Sequence, residues 1–502
     1  MMNLSRRELL KLGAAGLAAS AVPGFSLADE KTPKDGFLEP PPCPPFDFKY
    51  PELGAVKPVA SKDIEASPLG VGFETLDRMM FEPDRAYKHV GRLGVKWARC
   101  QTGWARTEKT PGEYDFAWLD DVAESLLSEG VKPWFSISYG NRLVSPDAPD
   151  WSAVGWAPVF SEEAKAAWLR YTRAISKRYA DRITHWEIWN EPNIRTFWQP
   201  NEPSPGDYTE LVRITAEEIR RNVPGAVIIG GALAGMPTSY LQQCLEAGLG
   251  GLVDKISYHP YRPVPEQNYE TTVAEWWKLL AEHNPKLKLW QGENGAPSIG
   301  GPRSAGALSQ LPWSEVYQAK WLLRRILLDL LVDCDMTSYF TMVDLAAYNW
   351  GRGPSDRTNY KGLLRAEDYT PKPSYFAYQC LCALFDAKTK KLSDQAPTVK
   401  DTTLAPERVQ YIRGGCFGRG GTAMHVAWFP SKLPEVIEVH SATVDLPVAT
   451  DAAIADPVLI DPLSAKVFQL DGVVRGENRL TVKGLPLLDY PLIVTDRRVA
   501  LG

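Results

Sequence analysis

Two glutamates stand in settings suited to proton transfer and nucleophilic attack: Glu191 in "HWEIWNEPN" (185–193) and Glu293 in "LWQGENGAPS" (289–298). A carboxylic acid can protonate a leaving oxygen, and a carboxylate can attack an acetal carbon. Two such groups facing one sugar would suit glycosidic bond cleavage. Each glutamate alone reads equally well as a surface-loop residue. They lie far apart along the chain, so the pairing needs a fold that returns both segments to one rim.

The pattern around them predicts such a fold. Short β-like runs alternate with amphipathic helical runs: "LGVGF" (69–73), "VKWARC" (95–100), "VKPWFSIS" (131–138), "THWEIWN" (184–190), "AVIIG" (226–230), "DKISYH" (254–259), "LKLWQGE" (287–293) and "MTSYFTM" (336–342). Eight strand–helix units over roughly 67–386 predict an α/β fold, a (β/α)8 TIM barrel. In such a barrel, reactive groups sit where strands end in the βα-loops, which is where Glu191 and Glu293 fall. By period two, Glu187, Trp189 and Glu191 are expected to share the inward face, with Trp186 packed outward. "VIIGGALAG" (227–235) lacks the spacing of a dinucleotide loop and reads as a barrel strand.

Beyond the barrel, 387–502 is rich in β-like runs such as "AMHVAWF" and "YPLIVTD", broken by Gly, Pro and Asp. This predicts a C-terminal antiparallel β-sandwich. Before it, 29–66 is a Pro-rich segment whose "EPPPCPP" (39–45) reads as an extended tether. Residues 1–28 resemble a twin-arginine export signal: Arg6-Arg7, a mild apolar run and "SLA" ahead of Asp29. The expected location is periplasmic or secreted, without a membrane anchor in the mature chain.

A formal net charge of −5, with no basic block, argues against nucleic acid or an anionic membrane as partner. The 7 cysteines have no ligand spacing, and Cys380 and Cys382 diverge if they lie in a helix; no metal site and no cofactor are expected. The 17 tryptophans suit a carbohydrate partner, since sugars pack against flat apolar faces.

"WEIWNEPN" resembles the acid/base motif of the glycoside hydrolases of clan A, and "PGEYDFAWLDD" (111–121), "SYFTMVD" (338–344) and "PLLDYPLIVTD" resemble family 39 within it. The resemblance implies that Glu191 is the acid/base and Glu293 the nucleophile of a retaining enzyme. It implies that Asn190 binds the substituent beside the anomeric carbon, and that Arg99 lies near the nucleophile. "SYHPYRP" places His259 and Tyr261 at matching positions on strand six. Phe340 stands where the clan usually has a tryptophan floor, with Trp350 nearby to share that role. Trp104, Trp151, Trp156, Trp198 and Trp313 are candidates for further sugar contacts from βα-loops. A β-xylosidase-like hydrolase is the first expectation. A transglycosylase or a non-catalytic carbohydrate-binding protein on the same fold is the alternative.

Overall fold

The computed structural model describes residues 37–38, 46–431, 437–448 and 453–502. The twin-arginine leader and the "EPPPCPP" tether, with Cys43, lie outside the described residues.

Eight parallel strands close into a barrel in sequence order: strand one (Leu69–Gly72), two (Trp97–Gln101), three (Lys132–Ile137), four (His185–Ile188), five (Val227–Ala234), six (Lys255–His259), seven (Lys288–Gln291) and eight (Met336–Tyr339). Strand eight pairs in parallel with strand one, Thr337 opposite Leu69, which completes the ring. Every expected strand is present. The floor of the interior is apolar: Trp134, Ile229, Trp290 and Met336 pack together with Trp97 against them. Above that layer the inward positions turn polar, with Arg99 on strand two and Glu187 on strand four both fully buried. That change from apolar floor to polar mouth lies below the βα-loops, where ligands meet this fold.

Helices return the chain around the outside. Ser161 caps the helix Glu162–Arg178, Ser204 caps Pro205–Asn222 and Ser314 caps Glu315–Leu331; each hydroxyl accepts a backbone N–H of the first turn. These caps end the long loops after strands three, four and seven, so the loops can be irregular while the helices start in register.

The C-terminal strands form antiparallel sheets, as expected of a β-sandwich. One has seven strands and another four. The seven-stranded sheet also recruits Glu52–Ala55 from ahead of the barrel, paired antiparallel with Lys466–Gln469. Helix Glu315–Leu331 is buried on nearly every side because it lies between barrel and sheet. There Lys320 Nζ meets Asp489 at 2.7 Å, and Glu266 accepts from both Arg324 and Trp428.

Cys380 and Cys382 sit in the helix Pro373–Leu384. The six described cysteines, Cys100, Cys244, Cys334, Cys380, Cys382 and Cys416, are buried free thiols. No helix among the described residues is long and apolar enough to cross a membrane.

Candidate active site

Strand four ends at Ile188, and the backbone then turns left-handed at Trp189 (φ 71°) and again at Glu191 (φ 49°). Non-glycine residues take this region at a cost and hold it when the surroundings fix it. Here strand five does the fixing. It carries a bulge at Gly231–Ala232, Glu191 N–H donates to the Ala232 carbonyl at 2.8 Å, and the Asn193 amide exchanges two hydrogen bonds with Ala234. The run Asn190-Glu191-Pro192-Asn193 is therefore a docked turn that presents two side chains to the mouth.

The turn corrects one expectation. With positive φ at Trp189 the period-two alternation stops, and Trp189 does not share the inward face with Glu187. Its indole donates to the Phe197 carbonyl at 2.7 Å, and its ring packs among Tyr139, Trp168 and Trp198. Trp186 packs edge-on against Phe135.

Glu293 follows strand seven. Two glycines allow its approach: a Cβ on Gly292 would meet Ser257 Oγ at 2.3 Å, and one on Gly295 would meet the Phe340 carbonyl oxygen at 2.0 Å. Tyr261 donates its hydroxyl to Glu293 Oε1 at 2.8 Å, and Arg99 Nη1 donates to Oε2 at 2.7 Å. Both carboxylate oxygens are thus held.

Arg99 is the hub beneath the site. Beyond Glu293 it reaches Glu187 at 2.6 Å, Glu74 at 3.0 Å and Asn190 Oδ1 at 2.9 Å. With Oδ1 committed to Arg99, the Asn190 amide keeps its NH2 group as a donor. Glu187 is a supporting carboxylate inside the barrel.

His259 Nδ1 lies 2.9 Å from Glu191 Oε1 and 3.8 Å from Glu293 Oε2. Burial lowers the His259 pKa to about 4, so the ring is neutral. Its Nε2 faces no polar partner. The single N–H therefore belongs on Nδ1, where it donates to Glu191. Burial raises Glu191 to about 7, with Arg99 pulling the other way. Burial, followed by the charge of Glu293, pushes Tyr261 well above the usual phenol range, so it remains a hydroxyl donor.

One ligating atom each of Glu191, Glu293 and His259 lie within 4.8 Å of one another. The same three atoms have the spacing of a cation site. The Arg99 guanidinium already on Glu293 supplies positive charge at that point, and a divalent ion beside it would be repelled.

Glu191, Glu293 and Asn190 line one pocket of about 320 Å³ with Glu74, Thr75, Arg78, Gln101, Tyr139, Phe197, Phe340, Tyr348 and Trp350. Phe340 and Trp350 thus sit at the wall, Trp350 37% exposed at the rim. Trp104 does not. It is fully buried, its indole bonded to Glu108 Oε2 and its ring packed on Trp168 and Tyr171, because the short helix Trp104–Thr107 turns it away from the mouth. Sequence reasoning missed Glu74, Thr75 and Arg78 in "GFETLDR" (72–78). The signal was present: two charged groups directly after strand one, at the reactive end of a barrel.

A closed parallel barrel with a strand-four Asn-Glu pair facing a strand-seven glutamate is the arrangement of the clan A glycoside hydrolases. The sequence profile of "Glycosyl hydrolases family 39" matches residues 94–405. The chain is 25% identical over 328 residues to a β-xylosidase of Caldicellulosiruptor saccharolyticus, covering 59% of this chain and 62% of that protein. A Geobacillus stearothermophilus β-xylosidase is 24% identical over 36% of each chain, so these alignments span less than two thirds of either relative. Among solved structures, a family 39 glycoside hydrolase from Bacteroides cellulosilyticus WH2 superposes with a TM-score of 0.61 at 20% identity, covering 88% of this chain and 83% of that one. A monomeric β-xylosidase from Caulobacter crescentus CB15 gives 0.58 at 18% identity, over 88% and 98%. The chain belongs to glycosyl hydrolases family 39.

Proposed function

We propose that the protein is a retaining glycoside hydrolase in which Glu293 is the nucleophile and Glu191 the acid/base. The observation that carries this reading is the approach of the two carboxylates: oxygens within 4.8 Å match the short spacing of double displacement, about 5–5.5 Å, and not the ~6.5–9.5 Å that leaves room for water in an inverting enzyme. In the first step Glu293 attacks the anomeric carbon, and the carbon–oxygen bond to the leaving group breaks as Glu191 gives that oxygen its proton. In the second, Glu191 takes a proton from water as the oxygen of that water displaces Glu293. Tyr261 and Arg99 hold Glu293 ionised and aimed; Asn190 offers its NH2 to the substituent next to the anomeric carbon.

The substrate is a carbohydrate, and a β-xylosidase-like specificity is the first reading, supported by the relatives above. A pocket of about 320 Å³ is at the small end of ligand sites, about 300–1,000 Å³. It favours removal of single sugars from chain ends. The leader sequence supports export to the periplasm or beyond. The test is turnover of 4-nitrophenyl glycosides by the wild type and by Glu191→Gln and Glu293→Gln, with the anomer of the product followed by NMR. Inversion at the anomeric carbon would overturn the double displacement.

A further inference from the structure

Glu74 is a buried acid with half of its carboxyl unused. It stands two residues beyond strand one, is 1% exposed, and lines the same pocket as Glu191 and Glu293. Its Oε2 accepts from Arg99 Nη1 at 3.0 Å, while its Oε1 has no protein partner. A buried polar atom without a partner is costly and uncommon. Support of Arg99 does not account for it, because Glu187, Glu293 and Asn190 already engage the guanidinium.

We propose that Glu74 is a substrate-binding residue whose free Oε1 takes a ring hydroxyl of the sugar seated over Glu293, and so selects a glycone hydroxylated at that position. The inference rests on the hydrolase reading and names a contact within it. Three carboxyls, Glu74, Glu187 and Glu293, share the single charge of Arg99. Burial, with the repulsion of Glu293 and Glu187, outweighs Arg99 and drives Glu74 well above the usual carboxylate range. A protonated carboxyl both accepts and donates, which matches a sugar hydroxyl that does both. It also leaves Glu293 as the anion of the two groups on Nη1.

The experiment is a cycle between the residue and the substrate. Wild type, Glu74→Gln and Glu74→Leu are assayed on the 4-nitrophenyl glycoside that wild type turns over and on its monodeoxy analogues. Glu74→Leu is expected to lower kcat/KM for the parent at least about 30-fold, but about threefold or less for the one analogue lacking the contacted hydroxyl. Glu74→Gln, which can still accept and donate, falls between. An equal loss on the parent and on every analogue would show a merely structural role and overturn the proposal. If Glu74→Leu fails to fold, Glu74→Ala replaces it in the cycle. Should wild type turn over no aryl glycoside, the hydrolase reading fails separately. The contact is then read from quenching of tryptophan fluorescence by free xylose, glucose and galactose. Saturable binding lost in Glu74→Leu supports it; binding retained by that variant, or absent in wild type, overturns it.

Discussion

Glu191 and His259 meet at 2.9 Å, an acid raised by burial to about 7 beside an imidazole lowered by burial to about 4. Over the neutral range the histidine is uncharged and brings no cation to hold Glu191 ionised. Its N–H fixes Oε1, so the transferable proton of Glu191 sits on the other oxygen. The pair therefore orients the acid without discharging it.

Glu191 must be protonated in the first step, so kcat/KM should fall as pH rises through about 7. That alkaline limb should vanish in Glu191→Gln, read with a 2,4-dinitrophenyl glycoside whose leaving group needs little protonation. His259→Phe removes a donor to the ionised form and should move the limb upward.

The same shift makes Glu191 a burden on stability. Its folded pKa lies above the unfolded value of 4.5, so between pH 4.5 and about 7 the native state binds more protons than the unfolded chain. Its contribution is therefore complete below pH 4.5 and lost as pH approaches 7. Glu191→Gln should be more stable than wild type at pH 8, by roughly 1–3 kcal/mol, with little difference at pH 4. Urea unfolding at the two pH values checks this.

Replacing either glutamate should abolish most activity, but differently. Glu293→Gln should lose turnover on every substrate. Glu191→Gln should lose about 10²–10⁴-fold on poor leaving groups and less on the formation of the glycosyl-enzyme from activated ones. Burst kinetics separates the two.

Arg99→Met should be the most damaging of these substitutions to the fold. It leaves Glu74, Glu187 and Glu293 clustered without their shared cation, a loss of about 3–5 kcal/mol by analogy with broken buried pairs. Gly295→Ala should also impair the site, because its methyl would press on the Phe340 carbonyl and push apart the loops that carry Glu293 and Phe340. Thermal unfolding and kcat/KM, measured together, show whether the damage is local.

The barrel was legible because its strands are short β-rich runs separated by amphipathic helices, a pattern that tertiary contacts did not need to override. Glu191 and Glu293 were legible because a strand end marks the reactive rim. Trp189 was misplaced because its left-handed backbone depends on the bulge at Gly231–Ala232, a partner that alternation along one strand cannot reveal. Glu74 was missed because "FETLDR" has the composition of an ordinary loop. Its meaning comes from Arg99, one strand away. Trp104 showed the reverse error: its loop position suggested a sugar contact, and a four-residue helix turned it into the core.

The pairing of Glu52–Ala55 with Lys466–Gln469 has a consequence for synthesis. A ribosome makes the edge strand of this sheet ahead of the whole barrel, and its partner only after the barrel is complete. The finished sheet therefore works as a clasp that shuts last. A chain interrupted before Lys466 would leave Glu52–Ala55 without its docking strand, an unpaired segment by which quality control can tell partial chains from finished ones.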